Sequence, residues 1–334
     1  MSEILKNRYE IMCLIEAKMC NPNGDPDAGN RPRVDFETNK GIITDVALKS
    51  RQRAYVKEAY SDKEGFDILM QNSASVNRQI AEAVLAVNNT DKLSKKDNKN
   101  PLAAAEWMCK KYWDVRTFGA VLSTGLNAGQ VRGAVQLSMA TSIDPIDIED
   151  ITITRKCFTD GDFATLDEYD KAAKDMADDK KRTMGAKQFT PYGLYVMRAT
   201  VSANLAEKVG FTEDDFSILL ESIMQMYNCD ISSSKMGMSV LSPVIIFKHI
   251  GTQSDKTSEQ AIREAKLGCA PAYKLFDLLS ITRKNDIDYA RSYRDYNIIL
   301  NKSACPAGIE IGAKLAPYSD INWNFTGDDT ISIR

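Results

Sequence analysis

The chain has 334 residues, 43% of them hydrophobic and 27% charged, a composition ordinary for a soluble globular protein with room for one large domain carrying insertions or for two small ones. No apolar run reaches the roughly 18 residues that a membrane-spanning helix needs, and Met1 to Arg8 is polar with no apolar signal core, so a cytoplasmic location without membrane attachment is expected. The net charge of −3 argues at first against nucleic acid, but it hides segregation: Arg31 to Lys57 holds seven basic residues against three acidic, and Asp144 to Asp179 twelve acidic against four basic.

Tyr9, Ile11, Cys13, Ile15 and Ala17 fall on one face of an alternating run, and Glu10, Met12, Leu14 and Glu16 on the other. That pattern predicts a strand whose second face is only partly polar. It ends in Asn21-Pro-Asn-Gly-Asp-Pro-Asp-Ala-Gly-Asn30, so Asn21 to Gly41 reads as a long loop. Thr44 is the expected N-cap of a helix running to about Tyr60. On it Lys49, Arg53 and Lys57 recur at every fourth position as one basic ridge, either a solvated face or, beside a Gly/Asn/Arg-rich loop, a phosphate contact. Residues 61 to 115 read as irregular helix, with a polar break at Asn88 to Asn100 that resembles an insertion.

Gly133 to Asp144 reads as a strand closed by Asp144-Pro145, and Ile151 to Thr154 as a second short one. Cys157 to Lys187 is acidic, then basic, with few apolar residues, so it is expected to project as an arm or loop. Tyr192 to Ala203 is a strong strand. Thr212 opens a helix whose Phe216, Leu219, Leu220, Ile223 and Tyr227 make an amphipathic core face. Val240 to Ile250 is a last strand, with Pro243 suggesting a bulge or an edge. The order strand, helix, strand, strand, helix, strand predicts an α+β fold of the ferredoxin-like, RRM type, with long insertions and a C-terminal part appended from about Gly268.

Several chemistries find no support. Seven cysteines are scattered without a CxxC pair, so reduced buried thiols are expected rather than a disulfide framework or a zinc knuckle. The single histidine, His249, follows an apolar run and cannot build a multi-histidine metal site. There is no GxSxG, no P-loop and no GxGxxG. Two segments stand out instead. Asn21 to Asp27 carries Gly24, free in backbone angle, among Asn and Asp side chains that lock turns. In Gly129-Gln-Val-Arg-Gly133 two glycines flank Arg132, which would let the backbone approach a ligand while the guanidinium forks onto phosphate.

These stretches resemble a known family, the backbone ("Cas seven") subunit of Cascade in type I CRISPR systems, subtype I-C, of the RAMP superfamily. The matching residues are 21 to 30, Thr-Asp-Val-x-Leu-Lys (44 to 49), Asp-Val-Arg-Thr-Phe-Gly-Ala-Val (114 to 121) and Gly-Gln-Val-Arg-Gly-x-Val-Gln (129 to 136). They continue with Ile-Thr-Ile-Thr-Arg (151 to 155), Arg-Thr-Met-Gly-x-Lys (182 to 187), Pro-Tyr-Gly-Leu-Tyr-Val (191 to 196) and Ala-Pro-Ala-Tyr-Lys-Leu-Phe-Asp-Leu (270 to 278). The resemblance runs from about residue 7 to about 296. It departs in the acidic stretch at Asp160 to Asp179 and in the tail after Asn297, to which no function is assigned.

The resemblance implies a palm (1–60 and 130–260), a helical finger insertion (61–129), a β-hairpin thumb arm (155–190) and a C-terminal extension (261–334). It implies copies stacked along a CRISPR guide RNA, each gripping its backbone while the thumb wedges a base aside, so that the guide can pair with target DNA. The expected partners are the guide RNA, target DNA through the guide, further copies of this chain, other Cascade subunits and a recruited helicase-nuclease. The candidate RNA contacts are Asn21, Asn23, Gly24, Arg31, Arg33, Lys49, Arg53, Arg116, Phe118, Gln130, Arg132, Arg155, Met184 and Lys187. No catalytic residue, metal or cofactor is expected, nor base stacking on the sheet, because RNP-type aromatic motifs are not evident.

Three alternatives stand beside this reading. In a metal-dependent ribonuclease of the type III backbone kind, an Asp of the loop after the first strand cuts, and Asp25, Asp27 and Asp35 lie in that loop here; Asp35 and Glu37 form a possible cation pair. An RNA-processing endonuclease would commonly use histidine, and His249 is poorly placed for it. A plain protein scaffold would leave the basic ridge and the Gly-Gln-Val-Arg-Gly loop unexplained.

Overall fold

The strand over Tyr9–Cys20 (β1) is buried along both faces. Tyr9, Ile11, Cys13, Ile15 and Ala17 enter one apolar core, and Met12 and Leu14 a second on the opposite side, as the alternation of strand side chains requires. The computed structural model describes residues 2–90, 92–93, 100–159, 161–177, 181–229, 231–323 and 325. The expected polar break at Asn88 to Asn100, the acidic stretch at Asp160 to Asp179 and the tail after Asn297 lie partly outside these residues.

After β1 come a short hairpin, β2 (Gly24–Asp25) and β3 (Arg31–Pro32), then β4 (Lys40–Ile43) and α1 (Asp45–Tyr60). The insertion holds α2 (Val76–Asn88), α3 (Pro101–Lys111), α4 (Trp113–Phe118) and the hairpin β5 (Ala120–Val121) and β6 (Gln130–Val131). Next are β7 (Val135–Leu137), β8 (Ala140–Pro145), β9 (Glu149–Arg155), α5 (Leu166–Asp175) and the 19-residue β10 (Thr183–Val201). There follow α6 (Ala203–Val209), α7 (Glu213–Cys229), β11 (Met238–His249), α8 (Glu259–Leu267) and α9 (Ala272–Phe276). The chain ends in β12 (Leu279–Arg283), β13 (Tyr296–Leu300), β14 (Ile309–Lys314) and β15 (Ile321–Asn322).

The main sheet runs β15-β14-β11-β1-β10-β8-β4, with β7 also on β10, and its pairs are antiparallel. The expected alternation of strand and helix is present as β1, α1, β8, β10, α7 and β11. The strand expected over Gly133 to Asp144 is two, β7 and β8, interrupted at Ser138 and Met139. Pro243 sits at a bulge: Met12 pairs with Ile245 but Leu14 with Leu241, so β11 carries two extra residues there.

Helices α1 and α7 cover one face, through Leu48, Tyr55 and Val56 of the first and Phe216, Leu219 and Ile223 of the second. The other face is covered by the segment expected as an appendage. Leu275, Leu278, Tyr296, Ile298 and Leu300 pack against Met12, Leu14, Leu194, Val196, Ile245 and Phe247, and β14 extends the sheet beside β11. His249 is fully buried, its Nε2 2.5 Å from Glu10 and its Nδ1 accepting from the Cys269 backbone N–H at 3.0 Å. Both contacts hold the end of β11 in place.

The insertion has its own small core of Ile80, Val84, Met108, Val115 and Leu122, and two charges tie it to the rest. Arg116 is buried and bidentate on Asp215 of α7, at 3.0 and 2.7 Å. Its remaining Nη1 donates to the carbonyls of Gly65 and Cys109. Asp114 accepts from Arg53 of α1 at 2.8 Å and from the backbone N–H groups of Leu69 and Met70. Removing one member of a buried pair leaves the other uncompensated, at about 3–5 kcal/mol, whereas replacing both by apolar groups is close to neutral. Arg116→Met is therefore expected to lose about 3–5 kcal/mol in chemical denaturation, and Arg116→Met with Asp215→Leu to recover part of it, the rest being lost with the bonds of Asp215 to Thr212. A single-variant loss below about 1 kcal/mol would refute the clamp.

Candidate nucleic-acid interface

The loop after β1 is held by its own polar groups. The Asn21 N–H donates to the Ser234 carbonyl at 2.9 Å and its side-chain amide to the Asn30 carbonyl at 2.7 Å. Lys235 donates to the carbonyls of Asn21 and Pro22. Asn23 Oδ1 accepts from both the N–H and the hydroxyl of Thr44, at 2.9 and 3.0 Å. Thr44 is the N-cap of α1, so Asn23 fixes where that helix begins. A Cβ on Gly24 would lie 2.0 Å from Asn30 Oδ1, so a larger residue there requires the Asn30 side chain to move aside.

Two acids of the loop, Asp25 and Asp35, are engaged locally. Asp25 accepts from the Asp27 N–H and pairs with Arg33 at 3.3 Å. Asp35 accepts from the Glu37 N–H at 3.1 Å and the Thr38 hydroxyl at 2.7 Å. Those bonds hold its carboxyl below the usual range. Asp27 is exposed. Asp25 thus acts as the turn former that its neighbours suggested, and Asp35 closes a turn of its own.

The basic ridge is partly spent inside the chain. Lys49 pairs with Asp45 at 2.8 Å and Arg53 with Asp114, and both cations lie over the ring of Phe118, at 5.9 and 5.2 Å. Phe118 is buried edge-on against Trp113. Arg116 and Phe118 therefore face the interior, and the Asp-Val-Arg-Thr-Phe segment holds α1 and α7 to the insertion. Lys57 is exposed at the far end of the ridge.

The glycines of Gly129-Gln-Val-Arg-Gly133 serve different purposes. A Cβ on Gly133 would meet Gly119 N at 2.3 Å and Thr117 O at 2.4 Å, so its missing side chain admits the end of α4 and no ligand. Gly129 takes φ +79° with open space around it. Gln130 and Arg132 are exposed, and Arg132 makes no ion pair among the described residues. Its Cα lies 3.4 Å from the position a Gly119 Cβ would take. Arg132 is therefore adjacent to the Phe118–Gly119 end of α4, over which Lys49 and Arg53 sit.

The arm is a two-stranded ribbon of β9 and the first seven residues of β10, in register from Thr183 opposite Arg155 to Phe189 opposite Glu149. Arg155 donates to the Cys157 carbonyl and the Thr183 hydroxyl, and Met184 is 76% exposed. At the ribbon's base Lys187 reaches Ser233, at 3.3 Å to its carbonyl, and Arg31 reaches Asp150 at 3.4 Å. Contacts therefore run from the ribbon's base, through the Asn21–Arg33 loop and its bond to Thr44, to Lys49, Arg53 and Arg132. Sequence reasoning missed Lys235, which anchors this loop, and Phe36, 93% exposed on the turn closed by Asp35. Only its place among turn residues could have signalled Phe36.

Fold and contacts together define an antiparallel α+β protein with a projecting two-stranded ribbon. The family described as CRISPR-associated protein Cas7 matches residues 7–301, and the chain belongs to that family. A curated relative, the CRISPR-associated protein Cas7 of Haloferax volcanii, is 36% identical over 121 residues, 35% of this chain; the match spans about a third of that relative's length, 33%. Among solved structures, a chain of a CRISPR RNA-guided surveillance complex is 16% identical with a TM-score of 0.48, covering 96% of this chain and 93% of its own. A chain of a pre-nicking CRISPR RNA-guided surveillance complex is 15% identical with a TM-score of 0.44, covering 72% and 78%.

The two residues that sequence treats as one motif have opposite structural consequences. Gly133→Ala is expected to cost about 1–3 kcal/mol, because rigid backbone must move. Arg132→Ala, exposed and without an ion pair, is expected to stay within about 0.5 kcal/mol of the native chain. Thermal and urea melts of both variants check this, and equal losses would show that the loop is not built as described.

Proposed function

We propose that this chain grips the backbone of a CRISPR guide RNA as a repeating filament subunit of a type I-C Cascade, presenting the guide for pairing with target DNA. The observation that carries the proposal is family membership over residues 7–301. The exposed Arg132, next to the end of α4 whose Phe118 ring lies under Lys49 and Arg53, gives that membership a surface. A guide holder must bind phosphate and sugar and leave bases free, because sequence reading belongs to base pairing. Arg, Lys and loop amides suit that task. The sheet face, closed by Tyr296 and Ile298, does not take part.

In this reading residues 1–60 and 130–260 form the RRM-like palm, 61–129 the finger and 155–190 the thumb. Arg31, Arg33, Lys49, Arg53, Gln130, Arg132, Arg155, Met184 and Lys187 are the contact set. Asn21, Asn23 and Gly24 shape the loop that presents it, while Arg116 and Phe118 brace the insertion. The other partners are further copies, other Cascade subunits and a helicase-nuclease that cuts the target. The chain itself is not a nuclease: Asp25 and Asp35 are engaged in turns and pairs.

Affinity for single-stranded RNA is expected to vary little with sequence and to fall steeply with salt, with a log–log slope of about 0.7 per neutralised phosphate. Arg132→Ala should weaken binding by about 1.5–3 kcal/mol with melting unchanged. Salt-independent binding, or an unchanged affinity in the variant, would contradict the proposal. Replacing residues 158–183 by a short Gly/Ser linker removes no buried residue among those described. It should leave a folded monomer that assembles poorly on RNA; an insoluble product would count against the thumb reading. The assembled complex is expected to leave complementary RNA and DNA intact with magnesium or manganese. Regular cleavage abolished by Asp25→Ala, Asp27→Ala or Asp35→Ala would replace this reading with the ribonuclease.

A further inference from the structure

The single histidine of the chain sits between a carboxylate and a thiol. His249 and Glu10 are fully buried, with Nε2 of the ring 2.5 Å from Glu10 Oε2. Nδ1 accepts from the Cys269 N–H at 3.0 Å, so the ring hydrogen is on Nε2 and is donated to Glu10. The other Glu10 oxygen accepts from Arg8 at 2.7 Å, which fixes the carboxylate in place. Nδ1 also lies 3.4 Å from Cys269 Sγ. The thiol hydrogen rests on the Gly308 carbonyl at 3.0 Å and has Nδ1 as its second acceptor within reach. Thiol, base and orienting carboxylate thus stand in the order that activates a nucleophile.

The sulfur is half-buried, neither enclosed nor free in solvent. Burial pushes the Cys269 thiol above its ordinary value, and Glu264 of α8 acts in the same sense. The backbone N–H groups of Gly251, Cys269 and Ile250 oppose them by favouring the ionised form. The thiol therefore rests protonated, and it reacts when a base removes its hydrogen as the reagent arrives. No other cysteine has such a base. Cys13, Cys20 and Cys109 are buried as expected, and Cys157 and Cys229 are exposed.

A second thiol adjoins the first. Cys305 is also half-buried and free, and it ends the short turn Lys302–Ala304 three residues before Gly308. A Cβ on Gly308 would lie 2.9 Å from Cys269 Sγ, so glycine there lets the 305–308 segment close on the sulfur. Burial, and then the neighbouring Cys269, push the Cys305 thiol up. The two cysteines bracket α9, β12 and β13, the layer that covers the second face of the sheet.

We propose that Cys269, served by His249 and Glu10, is a site of oxidation by hydroperoxides, and that Cys305 resolves it to a disulfide that ties down the covering layer. His249 Nδ1 takes the thiol proton as the sulfur attacks one oxygen of hydrogen peroxide. The O–O bond breaks, the departing hydroxide recovers the proton as water, and Cys269 becomes a sulfenic acid. The Cys305 sulfur then attacks Cys269 Sγ, the S–O bond breaks, and the hydroxide leaves with the Cys305 proton as a second water. Two thiols lose two electrons and one peroxide becomes two waters. A thiol reductant reverses the link, as it does for redox-sensing disulfides.

Peptide mapping tests this on the whole chain. The reduced protein is treated with stoichiometric hydrogen peroxide, capped with N-ethylmaleimide and digested without reductant. A Cys269–Cys305 link should form while Cys157 and Cys229 are still capped as thiols. The link should raise the melting temperature by roughly 5 °C, and dithiothreitol should return it. Cys305→Ser should hold the reaction at the sulfenic acid, read as a dimedone adduct on Cys269. His249→Gln should slow oxidation of Cys269 about a hundredfold relative to Cys157 in the same molecule. Unfolding of that variant would quicken Cys269 and open Cys13 to capping, so a slowing cannot arise from it. Oxidation of Cys157 or Cys229 ahead of a 269–305 link, or Cys305→Ser without an adduct on Cys269, would overturn the proposal whether or not the histidine variant folds. An unchanged rate in a folded His249→Gln would overturn the role of the base.

Discussion

The bidentate pair between Arg116 and Asp215, buried where three parts of the chain meet, is the constraint on which the rest of the architecture depends. Two charges taken out of water are tolerated only when each is fully hydrogen-bonded. Arg116 satisfies this with Asp215 and the carbonyls of Gly65 and Cys109. Asp215 also accepts from the N–H and hydroxyl of Thr212 at the start of α7. With Asp114 gripping Arg53 two residues earlier, a six-residue helix fixes both core helices against the insertion. The surface consequences follow directly. Phe118 at the end of that helix carries Lys49 and Arg53 over its ring, and Gly119 receives the backbone beside Arg132.

A second constraint comes from the sheet. A sheet with helices on one face leaves the other free, and here β12, β13 and α9 close it with an apolar layer. Glu16, on that side of β1, is buried with the Tyr192 hydroxyl and the Tyr293 N–H as donors, so even the polar residues of this face point into protein. Exposed basic residues lie instead on the rim: in the loop after β1 and along the ribbon. Segregated charge on a chain of net charge −3 is the electrostatic counterpart of that geometry.

Much of the fold was legible because burial imposes period. Tyr9 to Ala17 alternates, since β1 is shared by two cores, and the stripe of α7 repeats because one side packs on the sheet. The site was less legible, for reasons that are physical. Arg116 meets Asp215 across 99 residues of sequence separation, and nothing local distinguishes a buried guanidinium from a phosphate ligand. Gly133 carries no sign of whether its missing Cβ admits ligand or backbone. The arm was read only as a projecting arm or loop because it has few apolar residues to bury. Its helix was nonetheless written in Thr165-x-x-Glu168, a local signal that needs no core. The covering of the sheet by residues 270–300 escaped notice because its strands are short and lie far from the segment they pack on.

The central claim is that this chain holds an RNA backbone by repetition, and native mass spectrometry of the protein co-expressed with guide RNAs of graded length tests it most directly. The account predicts particles in which RNA is retained and the number of copies rises in whole steps as the guide lengthens. A protein that purifies without RNA, or with one copy whatever the guide length, would contradict it.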